Sequence, residues 1–399
     1  MRTGVVAASK VSGPVMRFAE SFVVDIDGLD ALVHFLIGWG YETKGPTVHD
    51  GAVVPGPITG VREFPRGVRD EQAPGRYRLG EGDERLFAWA VGPGSWKADF
   101  FPADQVEWRA HTSEGALSFA EAGTASRSLA IIGARPCELA AIEVLDRVLG
   151  EGAHPDPRYL TRRDTCFMVV VECAVPAGTC FCSSMGTGPD VKSGFDIALS
   201  ELSDADGHRF LARAGSSRGA DVLAAIPHAL ASELDLRARV ESLEHAEASM
   251  GRHLETEELA ELLARNIEHP RWSDVAERCL SCANCTMVCP TCFCSDVLDV
   301  SELSGALERR RVWSSCFDLD YSYLHGGAVR SSTSSRYRQW MTHKLSTWWD
   351  QFDTSGCVGC GRCVTWCPVG IDITEEVDAI VRSDGAARVT VPTSRSATW

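Results

Sequence analysis

The chain has 399 residues, enough for two or three domains with hydrophobic cores, and its 44% hydrophobic and 24% charged residues are ordinary for a globular protein. Its formal net charge of −16 argues against a nucleic-acid-binding surface, which needs a surplus of lysine and arginine. No stretch approaches the roughly 18 apolar residues of a membrane span, and the N-terminus lacks the apolar run of a signal peptide, so we expect a cytoplasmic protein with no membrane span.

Apolar runs and turn residues predict an α/β (or α+β) region followed by a helical linker. Residues 1–18 are expected to be a flexible lead-in. Residues 19–228 are predicted to form an α/β domain with a mixed sheet, because apolar runs of strand length at 128–133 and 166–172 alternate with helix-like segments. Residues 229–271 are predicted to be the helical linker to a C-terminal module.

Cysteines are the most informative residues, and there are 16 of them. In a large chain with no sign of secretion thiols stay reduced, so ligation of metals or iron–sulfur clusters is the expected use. Two runs follow C-x₂-C-x₂-C-x₃-C-P, which is the bacterial ferredoxin pattern. The first run comprises Cys279, Cys282, Cys285 and Cys289 before Pro290, and the second comprises Cys357, Cys360, Cys363 and Cys367 before Pro368.

This spacing suits a [4Fe–4S] cluster, because three closely spaced thiolates wrap one cubane while the fourth begins a helix that leads away. In two-cluster ferredoxins the fourth cysteine of each run serves the other cluster. The predicted ligands are Cys279, Cys282, Cys285 and Cys367 for cluster 1, and Cys357, Cys360, Cys363 and Cys289 for cluster 2. The alternative is a pair of structural zinc sites, but zinc usually takes its four ligands from two separated pairs.

The ferredoxin-like domain is predicted over residues 272–385, with a long insertion at 290–356 and a C-terminal tail at 386–399. No acidic residue occurs between Asp320 and Asp350, whereas several residues there are basic. One interpretation of the insertion is a docking surface or a positive surround for the anionic clusters. The other is a helical arm that packs its aromatic residues against the module, namely Tyr337, Trp340, Trp348 and Trp349.

The two runs use eight of the 16 cysteines, and the remaining eight suggest a further metal centre. The candidate ligands are Cys137, Cys173, Cys180, Cys182, Cys292 and Cys294. The first four follow apolar strands, where loops at the carboxyl ends of an α/β sheet commonly form sites. The alternative is buried, inert thiols, because free cysteine is among the most buried residue types and no familiar ligand spacing links these six. Cys166, at the start of a strand, is expected to take no part.

Motifs for nucleotide binding or catalysis are missing from the sequence. No G-x-G-x-x-G follows a predicted strand, and VGPGSWK at 91–97 lacks the Gly-Lys-Ser/Thr ending of a P-loop. The histidines form no zinc motif, and no nucleophile–base pair is recognisable. We therefore predict a chain that carries electrons, and we assign it no catalytic residue.

Segments across most of the chain resemble the dicluster family that contains the beta subunit of cytoplasmic sulfhydrogenases, which are NAD(P)-linked nickel–iron hydrogenases, and the electron-transfer subunit of anaerobic sulfite reductase. They are DEQAPGRYRL (70–79), AVGPGSWKADFFP (90–102), GARPCELAAIEVLD (133–146), CFCSSMGTGPD (180–190), CPTCFCSDV (289–297), SRYRQWMTHK (335–344) and GCGRCVTWCPVGIDI (359–373). The resemblance implies a non-catalytic electron-relay subunit with two [4Fe–4S] clusters. It also places Cys137, Cys180 and Cys182 inside shared segments, which favours a further iron–sulfur cluster.

The resemblance also implies partner subunits. In the hydrogenase branch these are a flavin subunit that exchanges electrons with NAD(P)H and the nickel–iron hydrogenase subunits. In the sulfite reductase branch the partner is a siroheme subunit. Two other hypotheses remain open: an enzyme that reduces a sulfur species at Cys137, Cys180 and Cys182, and a cluster-based redox sensor.

Overall fold

The structure, a computed structural model, describes residues 20–113, 116–121, 128–205, 207–302 and 305–389. The predicted lead-in at 1–18 and residues 390–399 of the predicted tail lie outside the described residues. The described strands are β1 (Ser21–Val24), β2 (Glu42–His49), β3 (Ala52–Pro57), β4 (Val68–Ala73), β5 (Arg76–Glu81), β6 (Asp104–Ser113), β7 (Ala116–Glu121), β8 (Leu129–Ala134), β9 (Phe167–Val171), β10 (Ile197–Asp204), β11 (Gly207–Ala214), β12 (Ala229–Leu230), β13 (Ser295–Ser301), β14 (Ala306–Trp313), β15 (Tyr323–Leu324) and β16 (Gly327–Ala328).

The described α-helices are α1 (Ile26–Gly38), α2 (Lys97–Phe100), α3 (Pro136–Leu145), α4 (Pro157–Asp164), α5 (Ser217–Ala225), α6 (Glu233–Ala248), α7 (Leu259–Arg265), α8 (Arg271–Ala276), α9 (Asn284–Met287), α10 (Thr333–Thr342), α11 (Trp348–Phe352), α12 (Arg362–Thr365) and α13 (Ile373–Val389). A π-helical segment, His343–Thr347, joins α10 to α11. Among these helices none combines the length and the apolarity that a membrane crossing requires.

The main sheet is mixed, as predicted, with its described strands in the order β12-β1-β11-β10-β9-β8-β2-β3. The pairs β2–β8, β8–β9 and β9–β10 are parallel, and the other pairs are antiparallel. Strand β9 is buried throughout, with Phe167, Val169 and Val171 in one hydrophobic cluster and Met168 and Val170 in another. Both faces of the sheet are therefore covered, which explains why its strands read as continuous apolar runs.

A second sheet shows that the insertion is not entirely helical, since it also contributes two long strands. Strands β13 and β14 of the insertion extend β6 and β7 of the N-terminal region, in the order β13-β14-β6-β7. The helical part of the insertion packs inward with Tyr337, Trp340 and Trp348 buried, whereas Trp349 is 49% exposed and does not pack as predicted. The insertion thus joins the two regions, because part of its backbone completes a sheet of the N-terminal region.

The first part of the segment predicted as a helical linker is docked on the main sheet, whereas the leucines of α7 pack in the hydrophobic cluster of the cysteine module. The segment contains α6 and α7, and its first residues form β12, which pairs with β1. Helix α6 begins with a capping box in which Ser232 and Asp235 exchange hydrogen bonds with each other's backbone N–H groups. Asp235 also accepts from Arg209 Nε of β11 at 2.7 Å, which fixes the start of the helix against the sheet.

A buried ion pair holds the second cysteine run against the α/β region. Arg362, the first residue of α12, is 1% exposed, and its Nη2 donates to Glu138 Oε1 of α3 at 2.5 Å. Its Nε and Nη2 also donate to the carbonyls of Gly92 and Gly94 at 2.8 and 2.9 Å. Since both charges are removed from water, each depends on the other for compensation.

The Glu138→Gln substitution should lower the free energy of unfolding by roughly 3–5 kcal/mol, because Arg362 would remain buried without its counter-charge. Urea unfolding of the anaerobic holoprotein, followed by circular dichroism, measures the change. Arg382→Met is the control: it removes an exposed ion pair with Asp378 and should cost less than about 1 kcal/mol. Equal unfolding midpoints for E138Q and the parent would contradict this role of the pair.

Candidate iron–sulfur cluster sites

The two cysteine runs adopt the same backbone path. Each passes through two residues with positive φ before a short helix: Ser281 (51°) and Ala283 (63°) precede α9, and Gly359 (64°) and Gly361 (75°) precede α12. Such conformations cost non-glycine residues about 1–3 kcal/mol and persist only where the surroundings impose them. In both loops this path turns an amide toward the first sulfur, with Ser281 N 3.4 Å from Cys279 Sγ and Gly359 N 3.5 Å from Cys357 Sγ.

One cavity gathers the predicted ligands of cluster 1. Its lining includes Cys279, Cys282, Cys285, Cys367 and Cys363. The rest of the wall is mainly apolar, with Leu280, Phe317, Tyr337, Trp340, Val369, Ile371 and Ile373. Cys367 of the second run therefore lies with three cysteines of the first run, although its role as their fourth ligand stays a prediction.

The predicted ligands of cluster 2 form a second group. Burial, and then the neighbouring thiols of Cys357, Cys360 and Cys289, raise the pKa of Cys363 well above its usual value. Burial also raises the pKa of Cys357 to about 12, with Cys360 and Cys289 among its charged neighbours. Cys289 of the first run is thus a neighbour of the second run's thiols. Thiols must lose their protons to bind iron, so cluster binding would release protons wherever these thiols are protonated.

Neither group is arranged around a single ion. Among the described residues, no three His, Cys, Asp or Glu side chains converge closely enough to hold one metal ion. A cubane binds each of its four thiolates through a different iron, so its ligands are expected to stand farther apart than those of zinc.

A buried lysine lies beside the cluster 2 group. Lys344, in the π-helical segment, is 3% exposed, and its Nζ donates to Cys289 Sγ at 3.3 Å, to Thr291 Oγ1 at 3.1 Å and to the carbonyl of Gly356 at 2.9 Å. Burial alone would lower the pKa of Lys344, but the thiols of Cys289 and its neighbours raise it well above the usual value. The side chain therefore keeps its charge next to a predicted ligand. π-Helical segments occur frequently at functional sites.

A second buried lysine faces the same segment. Lys97 Nζ donates to the carbonyl of Cys292 at 3.0 Å and lies 3.6 Å from the ring centroid of Trp313. The sequence interpretation of a positive surround thus corresponds to Lys344, which lies in the stretch without acidic residues. Lys97 and the ion pair of Arg362 with Glu138 were missed, because a buried charge has no sequence pattern of its own.

The six cysteines considered for an additional centre separate into two places. Cys292 and Cys294 follow the first run and face Lys97 and Lys344, which are among the charged neighbours of both thiols. The others, Cys137, Cys173, Cys180 and Cys182, lie on segments that follow β8 and β9. Cys166 is buried at the opposite end of β9, with its Sγ 3.5 Å from Met168 Sδ.

Comparison with known proteins identifies the cysteine module independently. A family model described as a 4Fe-4S dicluster domain matches residues 278–371, which contain both runs. Sulfhydrogenase 2 subunit beta of Pyrococcus furiosus is 34% identical over 253 residues, covering 63% of this chain and 73% of that protein. No solved structure gives a match.

The Lys344→Met substitution should lower the reduction potential of the cluster beside Cys289, because a positive charge next to a ligand favours the more negative, reduced state. We expect a shift on the order of 60 mV, equivalent to a tenfold change in a one-electron equilibrium. Redox titration monitored by EPR measures it. Lys192→Met, which removes an exposed lysine, is the matched control and should leave the potential unchanged. An unshifted potential in K344M would contradict the assigned role.

Proposed function

This chain belongs to the sulfhydrogenase beta-subunit family and is an iron–sulfur electron-transfer subunit; we propose that it holds two [4Fe–4S] clusters and relays electrons within a hydrogenase complex. Its proposed partners are a flavin subunit that oxidises NAD(P)H and a nickel–iron hydrogenase module. Each cluster would accept and pass on one electron at a time, and this chain's residues would bind the clusters, exclude water from them and tune their potentials.

The observation that carries the proposal is the grouping of the eight cysteines of the two runs. Cys367 lines a cavity with three cysteines of the first run, and Cys289 is a neighbour of three cysteines of the second. The two groups also touch, since Cys363 lines the first cavity and has Cys285 among its charged neighbours. Such contact supports direct electron exchange between two clusters bound there.

The surroundings of the two groups support an electron path with two ends. On the cluster 1 side, Cys282 is exposed and Leu280, in the same cavity wall, is 63% exposed. On the cluster 2 side, Cys360 is buried and the neighbouring Arg362 contacts α3 of the α/β region. We propose that one partner exchanges electrons at the exposed face of cluster 1, while cluster 2 leads toward the α/β region.

Anaerobic purification of the native complex tests the proposed partners. Subunits that contain nickel–iron and flavin centres should co-purify with this chain, and the complex should reduce NAD(P)⁺ with hydrogen. Cys363→Ala, which removes a predicted ligand between the two clusters, should lower that rate at least about 100-fold while hydrogen-dependent reduction of an artificial dye at the nickel site persists, because only the relay is cut.

Cys166→Ala is the control for this experiment, because it also removes a buried thiol but one that lies outside both groups. It should leave both activities intact. Recovery of a siroheme protein in place of nickel and flavin would contradict the hydrogenase proposal and assign the chain to the sulfite-reducing branch.

A further inference from the structure

Four cysteines outside the two runs lie between the main sheet and the second run. Cys137 is in the first turn of α3, directly after β8, and Cys173, Cys180 and Cys182 follow β9. Cys137, Cys180 and Cys182 are buried and Cys173 is half-buried. Because β8 and β9 are adjacent parallel strands, the segments that follow them meet at the same edge of the sheet.

Cys182 lies beside the first turn of α3, because a Cβ on Gly188 would be 3.0 Å from Cys182 Sγ and 3.6 Å from Pro136 Cβ. Burial, and then the thiols of Cys180, Cys173 and Cys360, raise the pKa of Cys182 above its usual value. Burial, and then Cys182 and Cys360, raise the pKa of Cys137 in the same way. One hydrophobic cluster contains Cys137, Cys182 and Cys360, so these three side chains also pack in the same part of the core. The group therefore extends to Cys360, a predicted ligand of cluster 2.

Backbone contacts tie this group to the second run. Phe181 N donates to the carbonyl of Gly359 at 2.9 Å, and Thr187 Oγ1 donates to the carbonyl of Val358 at 2.7 Å. A Cβ on Gly359 would lie 2.5 Å from the carbonyl oxygen of Phe181, so only glycine permits this approach. The segment from Cys180 to Cys182 is thus held directly against the loop that carries Cys357 and Cys360.

Cys180 has the same kind of backbone contact as cysteines of the ferredoxin runs. Ala177 N donates to its sulfur at 3.3 Å, as Ser281 N, Gly359 N and Ile371 N donate to Cys279, Cys357 and Cys367 at 3.4, 3.5 and 3.3 Å. An N–H donor favours the charged thiolate, which is the form that ligates iron.

A buried cation, Arg135, lies beside these thiols. Arg135, at the N-cap of α3, is 1% exposed, and its guanidinium donates to the carbonyls of Phe87, Trp89 and Glu172 at 2.8, 2.6 and 3.3 Å. Its Nε is buried and has no hydrogen-bond partner among the described residues. The guanidinium carbon also lies 4.4 Å from the ring centroid of Trp89 and 5.7 Å from that of Phe87, but it forms no ion pair with a carboxylate of the described residues. A buried charge without a counter-charge is unfavourable. Burial raises the pKa of Cys173, and the nearby Arg135 opposes that rise.

We propose that Cys137, Cys173, Cys180 and Cys182 hold a third iron–sulfur cluster, whose negative charge is compensated by the buried guanidinium of Arg135. Inert thiols would leave the guanidinium of Arg135 with no ion-pair partner among the described residues, and a single zinc ion would need ligands that converge on one point. This proposal rests on the proposed electron-relay function and extends it, because the site adjoins Cys360. One electron would leave reduced cluster 2, which is thereby oxidised, and reduce the third cluster.

The test is the iron and acid-labile sulfide content of the anaerobically purified chain, together with Mössbauer spectroscopy. Three cubanes correspond to about twelve iron atoms and two to about eight. The double variant Cys180→Ala/Cys182→Ala should lose about a third of the iron and keep the EPR signals of the ferredoxin module. Cys166→Ala, which also removes a buried thiol beside β9, should lose none.

If the parent chain contains about eight iron atoms, the proposal of a third cluster is contradicted, whereas the proposal of two clusters is supported. If the parent chain shows no EPR signals of the ferredoxin module, the proposed function is contradicted instead. The iron count of the parent decides the matter even if the double variant does not fold. An equal iron content in the parent and a folded double variant would also overturn the proposal.

Discussion

Lys344 brings a positive charge to within 3.3 Å of Cys289 Sγ in the interior of the chain, and buried cations also lie near further cysteines. Lys97 faces Cys292, Arg362 lies between Cys360 and Cys363, and Arg135 adjoins Cys173. An isolated cation in a folded interior is costly, and so is an isolated anionic cluster. Each would be stabilised by the other if clusters bind at the predicted sites.

Arg362 also joins the second cysteine run to the α/β region. It is placed by the second run's loop, and it binds Glu138 on the helix whose first turn carries Cys137. The same Glu138 accepts from the backbone N–H of Arg135, so one carboxylate orients both buried guanidinium-bearing segments. The insertion adds a second connection, because β14 pairs with β6 of the N-terminal region. The cysteine module is therefore built into the α/β region through both an ion pair and a shared sheet.

The features that sequence predicts here are those with a local signal. The repeated spacing around Cys279 and Cys357 indicates two cluster loops, and the apolar runs that become β8 and β9 indicate the buried strands. The pairing of β14 with β6 was not predicted, because it joins segments about two hundred residues apart that carry no shared pattern. Arg135 and Lys97 also escape prediction, since a basic residue is normally assigned to the surface and only tertiary packing shows that it is buried.

The exchange of Cys289 and Cys367 between the two runs is the central claim, because it explains how the runs form one unit. EPR of single-cysteine variants, recorded on the reduced chain, tests it most directly. If the fourth ligands are exchanged, Cys289→Ala should remove the same cluster signal as Cys357→Ala, and Cys367→Ala should remove the signal lost in Cys279→Ala. If Cys289→Ala instead removes the signal lost in Cys279→Ala, each run holds its own cluster and the account is contradicted.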